Sequence, residues 1–213
     1  SSVNASSSGP IRVFVVEDDE LIRESLLTLM EDAGFSVVGS TASASSALEA
    51  LRDAVVDVAI VDLGLGSESG IDLIREVSRL RPDVAYMVHT VFDDRDVVFR
   101  ALKAGASSYL LKGSTADELC AAVRELHAGG SPINPRIARL VIQELHGETG
   151  ADAITPRERQ ILRAIDAGQT YKEVAACLGI SVHTVHSHIK TIYERLQAHG
   201  KRQALAEARR RGL

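Results

Sequence analysis

RVFVVEDDE, residues 12–20, is an apolar run that ends abruptly in four carboxylates, Glu17, Asp18, Asp19 and Glu20. Its apolar part, VFVV, does not alternate with polar residues, which is the pattern of a strand covered on both faces of its sheet. Acids crowded beyond such a strand are costly. Two unit charges ~4 Å apart repel by about 4 kcal/mol at an effective dielectric of 20. A compensating cation is therefore expected beside them.

Runs of the same kind recur downstream. Strands are predicted at 11–16, 35–40 (FSVVGS), 56–62 (VDVAIVD), 84–89 (VAYMVH) and 107–112 (SSYLLK). Amphipathic helical segments separate them, near 20–33, 43–53, 71–81, 94–104 and 115–128, with Gly34 and Gly105 where a helix ends. Five strand–helix units in succession predict an α/β fold, a doubly wound five-stranded parallel sheet with helices on both faces. This unit is assigned to residues 11–128, after a small, polar N-terminus (1–10) expected to be disordered.

The pattern changes at GGSPINP (129–135), a Gly/Pro/Ser cluster that leads into a helix at 136–145 with Asn134 as its cap. Residues 129–153 read as a linker containing that helix, and 154–213 as a small all-α domain. Thr155-Pro156-Arg157-Glu158 and Thr170 to Glu173 are capping boxes. Gly179-Ile180-Ser181 is a tight break before a helix from Val182 to about Gln197, and a separate basic helix is expected from about Lys201 to Arg211.

Charge divides the chain in the same way. Residues 1–130 carry 11 Lys+Arg against 21 Asp+Glu, a net −10, whereas residues 131–213 carry 13 against 8, a net +5. The basic half suits a polyanion. No apolar run approaches the ~18 residues of a membrane span, and no charged-then-apolar leader opens the chain. A cytoplasmic protein without membrane association is expected, with Cys120 and Cys177 as reduced thiols.

In open parallel sheets, function gathers beyond the carboxyl ends of the strands where strand order reverses. With strand order 2-1-3-4-5, Glu17 and Asp18 after the first strand meet Asp62 at the end of the third. Such an all-oxygen set suits a hard divalent cation, Mg²⁺ above all. Thr90 follows the fourth strand and Lys112 ends the fifth. Asp19 and Glu20 are assigned to capping the first helix, where acids favour the dipole.

Those residues, in that order, resemble the receiver domain of two-component response regulators. The resemblance implies that Asp62 accepts a phosphoryl group from a sensor histidine kinase. It implies Mg²⁺ on Glu17, Asp18, Asp62 and the backbone carbonyl of Gly64, with Thr90 and Lys112 holding the phosphoryl oxygens and Tyr109 as the switch aromatic. The chain departs from the family where proline is common, with Gly66 after the aspartate and Gly113 after the lysine. GLGSESG (64–70) is therefore expected to be a flexible loop. Val91, beside Thr90, is bulkier than usual. GLGSESG does not fit the G-x-G-x-x-G spacing of a dinucleotide loop and follows the third strand.

TPRERQILRAIDAGQTYKEVAACLGISVHTVHSHIKTIYERL (155–196) resembles the LuxR-type helix-turn-helix of the NarL/FixJ family. Ile161, Leu162, Ile165, Val174, Leu178, Val185, Ile189, Ile192 and Leu196 are spaced as its core. The resemblance implies double-stranded DNA as partner and a homodimer on phosphorylation or DNA binding. His186, Ser187 and Lys190 are expected at base edges, with His183, Thr184, Tyr171 and Lys172 on the phosphate backbone. His186 stands where lysine is common. His183, His186 and His188 also raise a zinc reading, but no acid or cysteine joins them. The sequence thus reads as a phosphorylation-dependent transcriptional regulator rather than an enzyme. The alternatives are a phosphorelay or protein-docking module whose helical end binds protein, and a small-molecule-binding α/β enzyme.

Overall fold

The computed structural model describes residues 9–212. The disorder expected of the N-terminus falls, for residues 1–8, outside the described residues. The elements run β1 (Arg12–Val16), α1 (Glu20–Asp32), β2 (Ser36–Thr41), α2 (Ala44–Asp53), β3 (Val58–Val61), β4 (Gly64–Leu65), β5 (Glu68–Ser69) and α3 (Gly70–Leu80). β6 (Ala85–Thr90), α4 (Arg95–Ala104), β7 (Ser108–Leu111) and α5 (Ala116–His127) complete the first unit. Then come α6 (Pro135–Glu144), a 3-10 turn (Gly150–Asp152), α7 (Pro156–Asp166), α8 (Tyr171–Leu178) and α9 (Val182–Arg210).

The sheet is parallel throughout, in the order β2-β1-β3-β6-β7. Among the five sheet strands alone this is 2-1-3-4-5, as expected. Alternate residues of one strand supply two cores. Val13 and Val15 pack with Leu26 and Met30 of α1 and with Leu119 and Val123 of α5. Phe14 and Val16 belong to the cluster on the other face, with Leu51 of α2, Ile74 and Val77 of α3 and Val98 of α4. Each fully buried aliphatic side chain contributes about 1.5–3 kcal/mol, which is why β1 carries no polar position between Val13 and Val16.

The second cluster does not stop at the edge of the first unit. It continues through Ile137 and Val141 of α6 into Ile161, Leu162, Val174, Val185, Ile189 and Leu196 of the helical unit. α9 lies along α4. No helix among the described residues is long and apolar enough to cross a membrane.

Two expectations are corrected. The C-terminal helix is not separate: α9 runs unbroken through Gly200. A glycine in a helix interior costs about 1 kcal/mol against alanine, yet here it permits contact. A Cβ on Gly200 would lie 2.6 Å from Lys103 Cβ and 3.1 Å from the Lys103 carbonyl oxygen, so α9 can approach α4 only without one. GLGSESG, in turn, is not an open loop but the β4–β5 hairpin. Leu65 is buried, and the Glu68 carboxylate accepts from the Ala44 N–H at 2.7 Å at the start of α2. Gly66 turns the hairpin at φ +66°, a value closed to proline.

Candidate functional site

The acids of RVFVVEDDE part company at the end of β1. Asp19 caps α1, its carboxylate accepting from the Ile22 N–H at 3.0 Å, and Glu20 begins that helix. Glu17 turns inward and is 1% exposed. Its Oε1 accepts from the Asp19 N–H at 3.2 Å, and Arg23 of α1 donates to its backbone carbonyl at 2.8 Å. Arg23 is a support that the sequence reading missed, because nothing in the spacing marks a helix residue reaching back to a strand end.

Across the β1–β3 pair, Asp62 meets Glu17, and Lys112 reaches over from the end of β7. Lys112 Nζ lies 2.7 Å from Asp62 Oδ2 and 2.8 Å from Glu17 Oε2. The second contact is poorly directed, so buried Glu17 Oε2 is left without a hydrogen bond. Carboxylate oxygens of Glu17, Asp18 and Asp62 all lie within 4.8 Å of one another. Burial, together with the charge of Asp62, holds the Glu17 carboxyl above the usual carboxylate range despite the pull of Lys112. Burial alone would push the Lys112 ammonium down, but its hydrogen bond to Asp62 and its ion pair with Glu17 outweigh that and hold it above its ordinary value.

One cation thus faces a three-carboxylate pocket. An unsatisfied buried oxygen beside two further acids is a donor set that fits Mg²⁺, a cation that favours oxygen ligands. The Gly64 N–H donates to Asp62 Oδ1 at 3.2 Å, which brings that backbone to the rim of the site. A Cβ on Gly70 would lie 2.2 Å from the Asp62 carbonyl oxygen, so the start of α3 can close on the site only as glycine. Thr90 is fully buried at the end of β6, and the loop after it carries Val91 and Phe92, both exposed. The Phe92 ring lies across Gly64, 3.2 Å from where a Cβ there would stand. Tyr109 points inward and donates to the Phe92 carbonyl at 2.7 Å. Burial raises its pKa, which keeps that proton in place.

The other expected residues gather on α8 and the first half of α9. His183, Ser187, Lys190 and Lys172 are exposed, and Thr184 is partly covered. Tyr171 and His186 are instead turned onto the segment between α5 and α6. The Ser131 N–H donates to His186 Nδ1 at 3.1 Å, and the Tyr171 hydroxyl donates to the Ser131 carbonyl at 2.7 Å. Their rings meet with centroids 4.5 Å apart, and Tyr193 donates to the Pro132 carbonyl at 3.3 Å. Lys190 borders a cavity of about 280 Å³ with Gly130, Ser131 and Tyr193. In sequence GGSPINP reads as a break and the cap of α6, and nothing in it signals the contact with Tyr171 and His186.

Below this face, the Thr155–Glu158 capping box also closes on an ion pair. Glu158, 3% exposed, receives both Arg195 nitrogens, at 2.6 and 3.0 Å, and the Thr155 N–H at 2.9 Å. Among the described residues, only Glu17, Asp18 and Asp62 gather as three potential metal ligands, so His183, His186 and His188 do not form a zinc-like group.

Comparison with known proteins agrees with this two-part plan. Residues 13–124 match the response regulator receiver domain family, and residues 152–208 match the luxR family of bacterial regulatory proteins. The transcriptional regulatory protein LiaR of Bacillus subtilis is 32% identical over 208 residues, spanning 95% of this chain and 99% of LiaR. The response regulator UvrY of Escherichia coli is 30% identical over 208 residues, 95% of each chain. The crystal structure of a LuxR-family two-component response regulator from Aurantimonas superposes with a TM-score of 0.60 at 28% identity, covering 64% of this chain and 98% of that one.

Proposed function

The chain belongs to the response regulators that carry a LuxR-type DNA-binding domain, and from that membership we propose that Asp62 is its phosphoacceptor and the 129–132 segment its mask. It is a DNA-binding transcriptional regulator of a two-component system. The observation that carries the residue assignment is Lys112 Nζ, set between the carboxylates of Asp62 and Glu17.

In this reading an Asp62 oxygen attacks the phosphorus of a phosphohistidine on a sensor histidine kinase. The P–O bond forms as the P–N bond breaks, and the leaving imidazole takes up a proton. Phosphoryl transfer asks the protein mainly for positioning and charge stabilisation. Lys112 shifts from carboxylate to phosphoryl oxygen, and the buried Thr90 hydroxyl donates to another. Mg²⁺ held by Glu17, Asp18, Asp62 and the Gly64 carbonyl would neutralise charge on the phosphoryl oxygens. Tyr109 is bonded to the Phe92 carbonyl, so it follows when Thr90 draws the 91–94 loop inward.

The output is a shift in a closed–open equilibrium. In the closed form Tyr171 and His186 are occupied by Ser131, so the base-reading helix is incomplete as a DNA surface. Release frees His186, Ser187 and Lys190 for base edges and His183, Thr184, Tyr171 and Lys172 for phosphates, with two copies on paired half-sites. Moving such an equilibrium from 1:99 to 99:1 takes about 5.5 kcal/mol of differential stabilisation.

The test pairs modification with binding. Incubated with a small phosphodonor and Mg²⁺, the wild type should gain one phosphoryl group by intact mass and bind a labelled duplex more tightly. Asp62→Asn should do neither. Undiminished labelling of that variant would sink the assignment, and labelling without tighter binding would sink the mask.

A further inference from the structure

We propose that His186 is a proton-operated latch, whose neutral ring holds the 129–132 segment over the DNA-reading helix and whose protonated form releases it. The proposal rests on the reading of α9 as that helix. His186 Nδ1 accepts the Ser131 N–H at 3.1 Å, so it carries no proton in the closed form. Protonation would set an N–H against an N–H and lose the bond.

The Nδ1 edge of the ring is closely packed. A Cβ on Gly130 would stand 2.9 Å from Nδ1 and 3.1 Å from Cε1, so the glycine backbone lies directly against the imidazole. Gly130 is itself held by its N–H donating to the Glu125 carbonyl at 2.8 Å. On the other side the ring meets Tyr171, whose hydroxyl grips the Ser131 carbonyl. Histidine and tyrosine thus clasp the donor and acceptor of one peptide residue.

The charges around the ring offer a proton little welcome. On α9 its neighbours are His183, one turn before it, and Lys190, one turn after it. From α8 comes only the neutral Tyr171. From α5 comes Glu125, half-buried and with its carboxyl held above the usual range by that burial. Asp83 and Glu194 line the adjoining cavity with Lys190. Among the described residues no carboxylate pairs with His186, whereas His199 has Asp152 at 3.3 Å.

Burial holds the His186 ring below its ordinary pKa in the closed form. Once released, the ring returns to about 6.5. The closed form therefore binds fewer protons than the open one. Closure is strongest above the released value and weakens as pH falls, by up to about tenfold in the closed-to-open ratio per pH unit between the two values. Acid would then prime the regulator, so that less phosphorylation is needed to free the DNA-binding face.

The experiment reads the distance between the two units in the full chain, with neither phosphodonor nor DNA present. Spin labels are placed on the exposed Cys177 of α8 and on Glu24→Cys of α1, with the buried Cys120 changed to alanine. Wild type should give one distance at pH 8 and a second, longer population at pH 5.5. His186→Asn, whose side-chain oxygen takes the place of Nδ1 without titrating, should give the single distance at both. His186→Lys should separate already at pH 8. As a second readout, the His186 ring proton followed by NMR should titrate below the ordinary range, with its midpoint at that of the separation. The proposal is overturned if wild type and His186→Asn respond to pH alike, or if the two midpoints differ. The phosphoacceptor assignment stands or falls on labelling of Asp62→Asn, so the two failures are distinguishable.

Discussion

Glu17 and Glu158 are buried to nearly the same degree and both face a cation, yet their carboxyls are shifted in opposite directions. Glu17 shares Lys112 with Asp62 and keeps an oxygen without a hydrogen bond. Its carboxyl is raised by burial and by its neighbour's charge. Burial pushes the Glu158 carboxyl up as well, but the fork of Arg195 and the Thr155 amide more than offset it and leave the group below its usual range. The difference separates the carboxylate proposed to bind metal from one that only holds the fold. One cation for three acids leaves a vacancy of charge, while one guanidinium for one carboxylate closes the account. The two variants that remove these cations should therefore behave differently towards a metal ion.

The larger effect is expected in the helical unit. Arg195→Ala leaves Glu158 charged, buried and unpaired, and breaking a buried pair in this way costs about 3 kcal/mol. Urea unfolding of the full chain should show that loss, and added MgCl₂ should not restore it, because among the described residues no group of three potential metal ligands gathers there. The pH dependence follows from the same contact. A carboxyl held below its unfolded value contributes stability above about pH 4.3 and loses it as pH falls through the folded value. Glu158→Gln should flatten that acid limb.

Lys112→Ala should cost less, about 2 kcal/mol, since the Glu17 carboxyl is already held above the usual range and can take up a proton, where Glu158 stays charged. The distinguishing outcome is rescue. MgCl₂ should recover most of the loss, because an ion replaces the missing ammonium between Glu17, Asp18 and Asp62. If Mg²⁺ rescues both variants, or neither, the contrast between the two glutamates is wrong.

The sequence made the acid site legible because its residues sit at the ends of strands, and strand order alone brings them together. Five apolar runs with helical spacers predict a parallel sheet, and the order 2-1-3-4-5, assumed for that sheet and found in the structure, places Asp62 beside Glu17. Arg23 and Glu68 stayed invisible, since each acts through a contact that periodicity does not encode. The continuity of α9 was misread for a related reason. Gly200 looks like punctuation in one dimension, and only the neighbouring Lys103 explains why the helix keeps a glycine there. At the 64–69 hairpin the missing proline leaves no freedom, because the buried Leu65 and the anchored Glu68 supply the order. The occupation of His186 by Ser131 could not be read at all, because it joins residues 55 apart across two units.

The smallest expected effect tests how closed the molecule is. Gly200→Ala should stabilise α9 by itself, since alanine in a helix interior is better than glycine by about 1 kcal/mol. The same methyl would strike Lys103 Cβ and its carbonyl, neither of which is the free end of a side chain, so α9 must move off α4. Overpacking of this kind costs about 1–3 kcal/mol, and it falls on the closed form alone. A random-sequence duplex at low salt reads the electrostatic part of binding without knowledge of the operator. The unphosphorylated variant should bind that duplex roughly tenfold more tightly than the wild type, which corresponds to about 1.4 kcal/mol removed from closure. An unchanged affinity would mean that the approach of α9 to α4 does not guard the DNA-reading face. The two regions would then be linked through the 129–132 segment and His186 instead.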